Sequence, residues 1–96
     1  MIIITADLNE KTNRYRYMLE CALKDIKIIF PSDNYFYKIS SEIKTMSDSY
    51  YKDGIHFMSN NDYVNALASF SYAYGWLDAG VRMGLFSITK NNLFSI

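Results

Sequence analysis

Apolar side chains recur in this chain at alternating steps of three and four residues through three successive segments, the period of an amphipathic α-helix. The first stripe is Leu8, Thr12, Tyr15, Leu19, Ala22, Ile26 and Ile29. The second is Phe36, Ile39, Ile43, Met46, Tyr50, Gly54 and Phe57, and the third is Tyr63, Leu67, Phe70, Tyr74, Leu77 and Val81. Pro31 predicts the end of the first helix, because the residue before a proline is pushed out of the α region. Ser32, Asp33 and Asn34 all suit an N-cap for the second helix. Asn60 and Asn61 can adopt the left-handed conformation that stops it, and Asp62 caps the third. These signals predict helices over 6–29, 33–59 and 62–86, followed by an irregular tail, 87–96, with Leu93, Phe94 and Ile96 available to dock. Short connections favour antiparallel neighbours, so the expected fold is all-α, a three-helix up-and-down bundle. Gly54 is unusual inside a helix, and close approach of the third helix would explain it. Glu10–Arg14 and Glu20–Lys24 are expected as ion pairs one turn apart.

Composition narrows the function. Ninety-six residues and 11.2 kDa make one domain. Half the residues are hydrophobic and 17% are aromatic, which excludes a disordered chain. Ten Lys and Arg balance ten Asp and Glu, so the basic excess of a nucleic-acid binder is missing. No run reaches the roughly 18 apolar residues of a membrane span, since Asp78 and Arg82 interrupt the best one. A single Cys leaves no internal disulfide framework and no multi-cysteine zinc site. The apolar start, Met1 to Ile4, is too short for a signal-peptide core and lacks a basic flank. The cytoplasm is therefore the expected compartment.

The third segment is the most distinctive. Between Tyr63 and Ser87 only Asp78 and Arg82 carry charge, and Ala66, Ala73, Trp76, Gly80 and Met83 lie beside the inward stripe. A helix this apolar is expected to be covered on more than one side. Gly54, Phe57, Ala66, Phe70 and Ala73 reproduce part of a tetratricopeptide pattern, but in one copy, and solenoids need about three repeats to bury their faces. The run Tyr50 to Phe57, followed by Asp62 to Phe86 with its tract YAYGWLDAGVRMGLF, resembles a family of small, mainly archaeal proteins catalogued as domain of unknown function 357. That resemblance implies a three-helix up-and-down bundle and brings no catalytic residues with it. The sequence departs from the family pattern at the turn, where Asn60 and Asn61 precede Asp62 without the expected Gly.

Candidate chemistry is sparse. Asp53 and His56 stand three apart on one helix and could share a metal ion, but two ligands do not make a site. Asp78 and Arg82, joined by Asn65, Ser69, Tyr72 and Trp76, could line a groove on the third helix. Lys11, Arg14, Arg16, Lys24 and Lys27 are interleaved with Glu10, Glu20 and Asp25, which reads as a solvated face. No nucleophile has a nearby His, and no Gly-rich phosphate loop is present, the four glycines being placed within helices. The sequence therefore points to a non-enzymatic protein-interaction or self-association module without metal or cofactor. A two-fold homodimer is expected, with Trp76, Gly80, Met83 and Gly84 at or near the contact. The alternative is an accessory domain binding a small molecule or metal through Asp53, His56 and the Asn65–Arg82 face.

Overall fold

An extended Asn34 cap, a left-handed Asn61 (φ 59°) and a left-handed Gly84 (φ 76°) mark the start of the second helix, its end and the end of the third. The computed structural model describes residues 2–89, with side chains from Asp7 onward. Helix α1 spans Ile2–Asp25, α2 spans Tyr35–Ser59 and α3 spans Tyr63–Arg82. Two short strands, β1 (Lys27–Ile28) and β2 (Phe86–Ser87), pair antiparallel with Lys27 opposite Ser87 and Ile28 opposite Phe86. The fold is an all-α three-helix bundle, as the stripes imply.

Local chemistry explains each boundary. The Asn34 side chain accepts a hydrogen bond from the Phe36 amide at 2.8 Å and caps α2. At the other end Asn61 takes φ 59°, the Asn61 amide donates to the Met58 carbonyl and the Asp62 amide to the Phe57 carbonyl. That pair of bonds is a Schellman stop, with Asn in the position usually held by Gly. Asp62 then caps α3 by accepting from the Asn65 amide. The same stop recurs after α3: Gly84 has φ 76°, its amide donates to the Val81 carbonyl and the Leu85 amide to the Gly80 carbonyl. Helix α3 thus ends four residues before the expected Phe86, and Gly84 lies outside it.

Helix α1 also ends early, at Asp25 rather than at residue 29. Three of the next four residues are Ile, which favours extended backbone, and the segment pairs with Phe86–Ser87. Pro31 falls in the following loop, where its carbonyl accepts from the Asn34 amide. The Asp25 carboxylate accepts from both the backbone amide and the hydroxyl of Thr89, so the segment after α3 is tied across to α1. The possible docking of Leu93, Phe94 and Ile96 lies outside the described residues.

Helix α3 is the central element, packing against α2 on one side and α1 on another. The core joins Leu19, Ala22 and Ile26 of α1, Ile43 of α2, Ala66, Phe70, Ala73, Leu77 and Val81 of α3, and Leu85 and Phe86. The α2 stripe differs from expectation: Phe36 and Met46 are exposed, while Ser40 and Ser47 are fully buried. Small side chains let α2 lie close to α3, and the two hydroxyls are satisfied by backbone carbonyls. Ser47 donates to Ala73 at 3.1 Å and Ser40 to Phe36 at 2.7 Å. Gly54 continues this line. A Cβ built there would sit 2.6 Å from Phe70 Cδ1, and Phe70 is itself fully buried.

A polar link joins α1 to α2. Tyr51 donates to the Glu20 carboxylate, which also pairs with Arg16 at 3.1 Å. Glu20 therefore turns toward Arg16 and Tyr51 instead of Lys24, while Glu10 pairs with Arg14 at 3.6 Å as expected. Burial, reinforced by the neighbouring Glu20 carboxylate, pushes the Tyr51 hydroxyl up to about 12, with Arg16 acting in the opposite direction.

Gly54→Ala should therefore lower stability by about 1–3 kcal/mol, because the buried Phe70 ring must move. Gly75, beside which a Cβ would meet nothing within 4 Å, should gain about 0.8–1 kcal/mol of helix propensity as Ala. Urea unfolding of the two variants checks the contrast, and a Gly54→Ala protein as stable as the native chain would refute the close packing. For Tyr51 the sign follows from a folded pKa above the unfolded value of 10.0. Its contribution is complete below pH 10 and lost between about pH 10 and 12. The melting temperature of Tyr51→Phe should fall less steeply across that window, and parallel curves would contradict the link.

Candidate functional site

The residues singled out by sequence separate into distinct places. Asp53 and His56 are exposed on the last turns of α2. His56 Nε2 lies 3.3 Å from the Asn60 side-chain nitrogen, and the His56 carbonyl accepts from the Ser59 hydroxyl at 2.6 Å. Asn65 belongs to the cap of α3, its side chain donating to Asp62 at 2.7 Å. Among the described residues, no three His, Cys, Asp or Glu side chains gather as metal ligands would.

Asp78 and Arg82 form an intrahelical ion pair at 3.2 Å near the far end of α3. Residue 78 is eight positions beyond Phe70, which packs on Gly54, so the pair stands ~12 Å along the helix from that contact. Tyr74 shares its side of the helix. Burial raises the Tyr74 pKa, and the charge of Asp78 and then Tyr15 of α1 add to the rise. Two residues turn a helix by about 200°, so Asp78 and Trp76 point to opposite sides. Ser69 is buried. The Asn65–Arg82 set is therefore a cap, a core position, an ion pair and two aromatics, not one groove.

Gly80 corrects the expected contact face. It is buried within its own chain, and a Cβ there would lie 2.8 Å from Phe86 Cδ2. The segment that β2 brings back fills the space expected for a second molecule. Ala66 and Ala73 are likewise fully buried, so much of the supposed second strip belongs to the core. Gly84 serves the helix stop.

What remains outside is a narrower strip of α3: Ala68, Tyr72, Gly75, Trp76, Ala79 and Met83. Every one of these residues is exposed, with Tyr72 at 64%, Trp76 at 40% and Met83 at 61%. Tyr50 of α2 stacks on Tyr72, ring centroids 5.5 Å apart and planes inclined by 27°. Together with Ser71 these aromatics, Gly75 and Ala79 line an open depression of about 470 Å³. Tyr50 was not legible as part of this surface, since its spacing places it in the inward stripe of α2. The depression holds hydroxyls and aromatic faces, but no acid–base pair and no nucleophile with a base.

Fold and surface define a class: a small helical module whose central helix shows an uncharged aromatic face to the outside. The chain belongs to the family described as "Protein of unknown function (DUF357)", whose model matches residues 14–86. That span covers the second half of α1, both other helices and the return segment to Phe86. Among curated proteins and solved structures nothing matches the chain. No helix among the described residues is long and apolar enough to cross a membrane.

Proposed function

We propose that the chain is a protein-interaction module that docks through the outer strip of α3 and performs no catalysis of its own. The observation that carries this reading is a contrast between outer faces. The exposed positions of α1 include Glu10, Lys11, Arg14 and Lys24, and those of α2 include Lys38, Glu42, Lys52 and Asp53. The outer strip of α3 has no charge from Ala68 to Ala79, and holds Tyr72 and Trp76 instead. An exposed aromatic strip without solubilising charge marks a contact surface, and Tyr and Trp are the residue types that anchor protein contacts. The Tyr50–Tyr72 stack holds one of these anchors in place before a partner arrives, which lowers the entropy lost on binding. The reading sets the module in the cytoplasm, where the free thiol of Cys21 stays reduced.

A photo-reactive phenylalanine at Ser71, on the lip of the depression, should capture a protein in the native cells. The same probe at Ser49, an exposed position on α2 outside the depression, should capture little. Equal capture at both positions, or none at Ser71, would overturn the assignment of this face.

A further inference from the structure

We infer that the protein docking on this strip is a second copy of the same chain, crossing antiparallel about a two-fold axis between Gly75 and Trp76. The inference rests on the reading of the strip as a protein contact and adds the identity of the partner. It follows from how large and small residues are ordered along the helix.

A two-fold contact is self-complementary: whatever one copy presents must fit what the same surface offers in reverse. With the axis between residues 75 and 76, Trp76 faces Gly75 of the second copy, Tyr72 faces Ala79, and Met83 faces Ala68. All six are exposed in the single chain. Each large side chain thus meets a small one, and all three pairings share one centre. The strip runs from Ala68 to Met83, 16 residues and ~22 Å along the helix axis, so three pairs are spread along the whole contact.

The small positions are open in the way a pairing needs. Apart from its two chain neighbours and the backbone of its own helix, a Cβ at Gly75 would meet no atom of the chain within 4 Å, leaving room for an indole ring from outside. One of the large positions is held in place: Tyr72 is stacked on Tyr50. Charge is compatible too. Asp78 and Arg82 are paired with each other at 3.2 Å and lie around the helix from Trp76, so the pairing places no like charges face to face. A partner of another kind, recognised by charge, would find no charge on this strip to read.

Sedimentation of the full chain from about 1 to 300 μM tests the inference, a range that brackets micromolar affinity. The apparent mass should rise from 11.2 kDa toward twice that value. Gly75→Arg would place a long charged side chain where the second copy's Trp76 packs, and Ala79→Lys would do the same opposite Tyr72. Each should weaken association roughly a hundredfold while leaving the circular dichroism and the melting of the dilute protein intact, since both positions are exposed. If one variant fails to fold, the other still decides. A native chain that stays monomeric at 300 μM, or a dimer that both folded variants preserve, would overturn the inference. Capture of a different protein from Ser71 together with a monomeric chain would overturn it while leaving the interaction reading in place. No capture and no dimer would remove both.

Discussion

The distance between α2 and α3 governs the rest of the bundle, and it is set by what is missing from α2. Where Gly54 lacks a side chain, the ring of Phe70 takes the space. About two turns earlier, Ser47 is small enough to let its hydroxyl reach the Ala73 carbonyl on the neighbouring helix. Fully buried Ala66 and Ala73 supply the small surface from the other side. A larger residue at any of these points would push the helices apart and open voids around Phe70 and Leu77. Interiors packed to crystal-like density tolerate that poorly. The closeness of this pair in turn leaves α3 room to receive α1 on another side, which makes it the central helix.

How much of this was legible depends on whether the deciding interaction was local. The helical period and the caps are local, and Asn34, Asn61 and Asp62 act as their chemistry suggests. The ends of α1 and α3 are not local. The backbone after Asp25 leaves the helix to pair with Phe86–Ser87, about sixty residues away, and the spacing of Ile26 and Ile29 carries no sign of that partner. Ser40 and Ser47 were hidden for another reason. A hydropathy stripe counts serine as outward, yet a hydroxyl bonded to a carbonyl can sit in the core at little cost.

The candidate site was legible in its aromatics and not in its small residues. Trp76, Tyr72 and Met83 stand out in the sequence and prove to be exposed. Among Ala66, Ala73, Gly75, Ala79 and Gly80, however, periodicity cannot say which are covered, because three elements compete for the surface of α3. Ser47 of α2 reaches the Ala73 carbonyl, and Ala66 is fully buried. The segment returning through β2 places Phe86 on Gly80. Gly75 and Ala79 are left over only after both have been placed, so their exposure is a property of the tertiary arrangement.

The three glycines within helices sharpen that difference. Each costs helix propensity, about 0.8–1.0 kcal/mol relative to alanine, and for two of them the chain itself gives the reason. Phe70 occupies the space beside Gly54 and Phe86 the space beside Gly80. At Gly75 a Cβ would meet nothing within 4 Å beyond its chain neighbours and its own helix backbone, and one of those neighbours is the chain's single tryptophan. In Gly54 and Gly80 a missing Cβ admits an aromatic ring. Gly75 leaves the same kind of gap on the outer surface, and the two-fold pairing proposed for α3 is built on that gap.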